Sequence, residues 1–170
     1  PRLGVVGDLG DSVRMLEALE YVDRMAQGRP WVVNLSVGRT AGSHDGTSLV
    51  EQGMHELLRL GPGRAIVQSA GNYRSADLPV HGWLRDGERR DLEWIIDARD
   101  TTANELDAWY SGKDRFVVAI RLPGGGDFVQ VRLGEVADLE HQGNLVGRIY
   151  HRKNDPNAKD HNVAVVIYRG

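Results

Sequence analysis

Arg64-Ala65-Ile66-Val67-Gln68-Ser69-Ala70-Gly71-Asn72-Tyr73-Arg74 is the stretch around which the chain is organised. Ala65-Ile66-Val67 is a short apolar, partly β-branched run, the pattern of a buried strand. It stops in small residues and then a polar amide. Ser69-Ala70-Gly71 leaves room for another group to approach the backbone. Asn72 puts a two-donor side chain at the carboxyl end of the strand. In open α/β sheets that end is where ligands bind.

Working outward, the preceding residues read as β-α-β-α-β. Leu3-Gly4-Val5-Val6-Gly7 is a short apolar strand, and Asp8 to Asp11 carries turn chemistry. Asp11 or Ser12 can cap a helix that runs to about Gln27, with Val13, Met15, Leu16, Leu19, Tyr21, Val22 and Met25 on its apolar side. Gly28 and Pro30 are stop signals. Trp31 to Leu35 is the next strand, and Gly38 to Gly46 a polar, glycine-containing loop. Thr47 or Ser48 begins a second helix with Leu49, Val50, Met54, Leu57, Leu58 and Leu60 on one face. Gly61-Pro62-Gly63 ends it. Short connections of this kind predict parallel strands joined by right-handed helical crossovers, a Rossmann-like sheet with flanking helices. That pattern alone names no function.

Two strand ends carry a resemblance. Ser69-Ala70-Gly71-Asn72 resembles the oxyanion-hole segment of the subtilisin-like serine proteases, the subtilases. Trp31-Val32-Val33-Asn34-Leu35-Ser36-Val37-Gly38 resembles their substrate-binding strand, which typically reads Asn-Met/Leu-Ser-Leu-Gly. The segments come in the family's order with a helix-like stretch between them. The match covers about residues 3–82. It implies that Asn72 donates to the oxyanion of a tetrahedral intermediate, the electrostatic stabilisation on which acyl transfer depends. It also implies that Ser36, Val37 and Gly38 pair with an extended peptide as an added strand. Val37 would form one wall of the specificity pocket, and Ser69, Ala70 and Gly71 the opposite one.

The family's triad needs an aspartate, a histidine and a serine in that chain order. Its Asp-Thr/Ser-Gly, His-Gly-Thr and Gly-Thr-Ser-Met-Ala segments are absent. His44-Asp45-Gly46-Thr47-Ser48 superficially resembles two of them but falls in the family's variable loop. There Thr47 or Ser48 reads as a helix cap and His44 as a loop residue near the cleft. The expectation is therefore an internal part of a subtilase, inactive by itself, with the triad supplied by the rest of the parent chain. The family implies an extracellular or periplasmic location. The alternative is a non-catalytic binding or assembly module, or a pseudoprotease.

The second half departs from the family. Leu92-Glu93-Trp94-Ile95-Ile96, Asn104 to Tyr110, Arg115 to Leu122, Phe128 to Leu133, Leu145 to His151 and Asn162 to Tyr168 read as strands between Gly, Pro and Asn turns. This predicts an antiparallel β-sandwich, jelly-roll-like, over residues 83–170, inserted after an α/β segment over residues 1–82. The insertion would serve substrate docking, assembly or spacing. Asn154 to Asp160 has alternating Asx oxygens that could approach Ca²⁺, but its spacing is not that of an EF-hand, and it reads as a hairpin turn. His141, His151 and His161 lack metal-triad spacing and are expected on loops or strand surfaces. Trp109 and Tyr110 are expected among the sandwich's buried aromatics.

Composition narrows the rest. The 170 residues are 41% hydrophobic and 26% charged, with a formal net charge of −3 and no cysteine. Disulfides and thiol chemistry are excluded. The charge argues against nucleic acid and anionic membrane as partners, and no apolar run reaches the ~20 residues that span a bilayer. The implied partners are a peptide or protein substrate and the remainder of the parent protease. No cofactor and no metal are expected.

Overall fold

The computed structural model describes residues 12–38, 41–71 and 80–168. The expected first strand at Leu3–Gly7 and the oxyanion donor Asn72 lie outside the described residues. The chain divides into two compact units, Pro1–Gly71 and Asn72–Gly170.

The first unit is built from α1 (Ser12–Ala26), β1 (Trp31–Leu35), α2 (Leu49–Arg59) and β2 (Arg64–Gln68). α1 ends where Gln27 and Gly28 both turn to positive φ, 51° and 78°, the left-handed stop that Gly28 signals. α2 starts on a full capping box. The Ser48 hydroxyl accepts the Glu51 N–H, and the Glu51 carboxylate accepts the Ser48 N–H. The helices pack through Leu16 and Gly53, where a Cβ on Gly53 would lie 2.9 Å from the Leu16 methyls. β1 and β2 pair in parallel from Trp31↔Arg64 to Leu35↔Gln68, with α2 as the crossover.

Asp23 of α1 sets the start of both strands. Its carboxylate accepts the Trp31 indole N–H at 2.8 Å and Arg64 Nε at 2.6 Å. The Arg64 and Trp31 hydrogen bonds hold its carboxyl below the usual carboxylate range. Among the described residues the parallel sheet has two strands, so the multi-stranded Rossmann-like sheet expected from the sequence is not reached. Val32 (71% exposed) and Val67 (53%) remain open to solvent.

The second unit is all β: β3 (Asn104–Tyr110), β4 (Val117–Ile120), β5 (Val129–Arg132), β6 (Val136–His141), β7 (Asn144–Arg152) and β8 (His161–Ile167). β3, β8, β7 and β6 form an antiparallel sheet in that order, and β4–β5 a separate antiparallel pair. Ile149 pairs with Val165, which pairs with Leu106, so one row crosses three strands. Ile149, Val165, Leu139 and Val163 form a buried cluster with Val131 of β5, and Val118 and Ile120 of β4 pack against it. Burial alternates at period two in β4, β5 and β7, whereas β8 is buried at five successive positions, His161 to Val165.

Three expectations are corrected here. Leu92 to Ile96 forms no strand; it is irregular and largely exposed, with Ile95 at 80%. β6 is a strand that the sequence reading passed over. It joins β7 through Gln142-Gly143, both at positive φ (51° and 77°), the geometry of a two-residue hairpin turn. His151 and His161 are not on the surface; they are 1% and 2% exposed. Each is hydrogen-bonded inside the unit, His151 to Tyr110 and Val131 and His161 to the Asn154 amide, which is what lets a polar ring occupy a core position. The Asn154–Asp160 stretch is the β7–β8 turn. The Asp155 carboxylate there accepts the Asn157 and Ala158 amides, each at 2.9 Å.

Candidate functional site

The carboxyl ends of β1 and β2 bring together Ser36-Val37-Gly38 and Ser69-Ala70-Gly71. Each triplet directly follows its strand. The parallel ladder runs one residue past the sheet, with the Ser69 N–H donating to the Leu35 carbonyl at 3.0 Å. Gln68 then clamps both triplets. Its Nε2 donates to the Val37 carbonyl at 2.6 Å and to the Ser69 carbonyl at 3.2 Å. Asn34 Nδ2 donates to Ser36 Oγ at 2.9 Å, orienting the serine at the end of β1.

The triplets are open. Val37 is half-buried, and Ser36, Gly38, Ser69, Ala70 and Gly71 are exposed. Gly71 sits at φ +86°, a left-handed conformation that glycine adopts without steric cost. A Cβ on Gly38 would stand 3.5 Å from Gln68 Nε2, in ordinary contact. Exposed backbone flanked by small side chains can accept an extended chain alongside it. None of the six residues titrates. Proton transfer or nucleophilic attack at this place would have to come from other groups.

The His44–Ser48 segment spends its polar groups locally. The Asp45 carboxylate accepts the Thr47 hydroxyl at 2.6 Å, the Ser43 hydroxyl at 2.7 Å and the Thr47 amide at 3.0 Å. These bonds, Thr47's first, hold its carboxyl below the usual range. The Ser48 hydroxyl donates to Glu51 at 2.5 Å. This is a turn followed by a helix cap; of the two expected candidates, Thr47 or Ser48, the cap falls at Ser48.

Sequence reasoning missed Gln68 and Asp23. Gln68 had a signal: a long amide closing an apolar strand, beside small residues whose carbonyls it can reach. Asp23 had none, because its partners lie on two strands that only the fold brings near. A shallow concavity lined by Pro30, Trp31, Val32, Gly63, Arg64 and Ala65 lies at the amino ends of the strands. A five-residue strand is ~15 Å long, so that concavity is remote from the triplets.

Among the described residues no group of three or more His, Asp or Glu side chains could hold a metal ion. No described helix is long and apolar enough to cross a membrane. No protein-family model, curated protein or solved structure matches this chain.

Proposed function

We propose that the chain is the central part of a subtilisin-like serine endopeptidase. It contributes the substrate-binding segment Ser36-Val37-Gly38, the facing wall Ser69-Ala70-Gly71 and the oxyanion donor Asn72. The observation that carries this reading is the clamp at the strand ends. Ser69 N–H on Leu35 and Gln68 Nε2 on Val37 hold the two triplets side by side, the arrangement a cleft with a binding strand and an opposite wall requires. A peptide would add to Ser36–Gly38 as a strand, gaining main-chain hydrogen bonds, while its side chains fall between the walls.

In this reading β1 and β2 belong to a wider Rossmann-like parallel sheet. Helices packed on the open face of that wider sheet would cover Val32 and Val67, as parallel sheets are covered on both faces. The second unit is then an inserted jelly-roll-like sandwich, with β4–β5 layered on the four-stranded sheet, that docks substrate or the rest of the protease. The aspartate, histidine and serine come from the remainder of the parent chain, so this chain alone does not hydrolyse peptides. Its setting is extracellular or periplasmic.

A second reading is favoured by the absence of any titratable group among the six triplet residues: a module that binds extended peptide without chemistry. One experiment addresses both. The ¹⁵N-labelled chain is titrated with an unlabelled apolar octapeptide. Amide shifts concentrated at Ser36–Gly38 and Ser69–Gly71, with the peptide intact, are expected. Undisturbed triplets refute both readings, and inhibitor-sensitive cleavage refutes the dependence on outside catalytic residues. The parent gene separates the two. Asp-Thr/Ser-Gly and His-Gly-Thr upstream with Gly-Thr-Ser downstream are expected, and their absence leaves only the binding module.

A further inference from the structure

We propose that the β7–β8 hairpin is closed by an acid-sensitive latch, in which a neutral His161 holds the turn through the Asn154 amide. His161 opens β8 at 2% exposure, and its Nδ1 stands 3.0 Å from the Asn154 N–H. A backbone N–H can only donate, so Nδ1 carries no proton and the proton of the neutral ring is on Nε2. A proton on Nδ1 would set donor against donor and bury a charge in one step.

The neighbouring histidine is built differently. His151 is 1% exposed. Its Nδ1 lies 3.2 Å from the Val131 carbonyl, and its Nε2 2.6 Å from Tyr110 Oη. The carbonyl can only accept, so Nδ1 carries the proton and Nε2 takes the tyrosine proton. If His151 gains a second proton, Nε2 can donate back to Tyr110 Oη, and both contacts survive. His161 has no such exchange. Tyr110 stands edge-on to both rings, with centroids 5.1 Å from His161 and 5.7 Å from His151, and is stacked on Phe116 at 4.3 Å. Burial pushes the Tyr110 hydroxyl up, so it remains a proton donor throughout.

The charged groups around the latch are already engaged or lie at the strand ends. From β3 comes Tyr110, paired with His161 in register. β7 ends in Arg152, which donates to Asn162 Oδ1 at 3.1 Å, with Lys153 next in sequence. In the turn, the Asp155 carboxylate accepts the Asn157 and Ala158 amides, and the Asp160 carboxylate accepts the Gly112 amide at 3.1 Å. Lys159 donates to the Pro156 carbonyl. The fold binds the neutral form of His161. The closing bond requires Nδ1 to be bare and is withdrawn when acid protonates that nitrogen. Opening releases the Asn154 amide at the mouth of the hairpin, while the Asp155 N–H on the Asp160 carbonyl (2.8 Å) and the Lys159 N–H on the Asp155 carbonyl (3.0 Å) still shape the turn.

The test uses the full ¹⁵N-labelled chain. Long-range ¹H–¹⁵N correlations at about pH 7.5 should show His161 bare at Nδ1 and His151 protonated there. Hydrogen exchange of the Asn154 amide, corrected for intrinsic rate, should lose protection as the pH falls to about 5. The limiting slope is about tenfold per pH unit, the linkage of one proton to opening. His161→Gln, whose side-chain carbonyl can accept the amide without taking a proton, should flatten that dependence. His141→Gln, on an exposed ring, should leave it intact. A protonated Nδ1 on His161 at neutral pH, or unchanged Asn154 protection down to pH 5, overturns the proposal. The wild-type measurements decide the matter if His161→Gln does not fold.

Discussion

Replacing Gly147 with alanine tests the packing of the four-stranded sheet where β7 lies against β8. Gly147 lies in β7, between β6 and β8, and pairs with Leu139 and Ile167. A Cβ built there would meet the Val166 carbonyl oxygen at 2.5 Å, Ile167 Cδ1 at 3.0 Å and Leu139 Cδ1 at 3.3 Å. Ordinary contact begins at 3.4 Å, so the carbonyl must retreat by 0.9 Å (3.4 minus 2.5). It belongs to β8 backbone beside the β7–β8 ladder, so it cannot swing aside as a side-chain end could. Overpacking of this kind costs about 1–3 kcal/mol, and a weakened ladder bond adds about 1 kcal/mol. Reduced freedom of the unfolded chain returns about 0.4–1 kcal/mol. The net expectation is a loss of about 1–3.6 kcal/mol. Urea unfolding of the full chain, followed by near-ultraviolet circular dichroism, measures it. Gly82→Ala, where nothing lies within 4 Å and φ is unremarkable, is the control. If the two variants unfold at the same midpoint with equal slopes, the steric argument is wrong.

Three further outcomes follow from the same geometry. Ile149→Ala empties a fully buried site between β5, β6 and β8 and should cost about 2–5 kcal/mol, against about 0.5–1.5 for Ile149→Val, read by the same unfolding curves. Ser48→Ala removes one half of the α2 capping box. It should cost about 1 kcal/mol, with hydrogen exchange accelerating first at the amides of Glu51 and Gln52. Asp23 is held below its ordinary value of 3.8, first by Arg64 and then by Trp31. Its stabilising contribution is complete above that value and is lost as the pH falls through the depressed one. Asp23→Asn should therefore be less stable at neutral pH and show a flatter acid-unfolding profile below about pH 4. Parallel profiles for the two proteins would remove Asp23 from the account.

Much of the first unit was legible because its signals are local. Gly28 and Pro30 stop α1, and the Trp31 and Ala65 runs become β1 and β2. Thr47-Ser48 opens α2 because the Ser48 and Glu51 side chains and amides lie three residues apart in sequence. The triplets Ser36–Gly38 and Ser69–Gly71 could be placed at strand ends for the same reason. Gln68 carried a local signal, a long amide closing an apolar run, but its reach to Val37 depends on the parallel register of two strands far apart in sequence. The second unit was read with one strand too many and one too few. Leu92 to Ile96 is apolar enough for a strand, but a strand needs a neighbour to take its backbone hydrogen bonds, and none among the described residues pairs with it. Val136 to His141 carries Asp138 and Glu140 and looks polar, yet pairing with β7 buries Leu139 fully.

By itself the sequence determined what short-range chemistry can decide: where helices begin and end, which runs are apolar at period two, and which small residues follow the two parallel strands. Tertiary structure decided which strand meets which, and through that the burial of His151 and His161 and the Asp23–Arg64–Trp31 junction. The physical reason is reach. A cap or a turn is satisfied within a few residues, whereas a buried ring or carboxylate takes its partners from strands and helices that become neighbours only on folding.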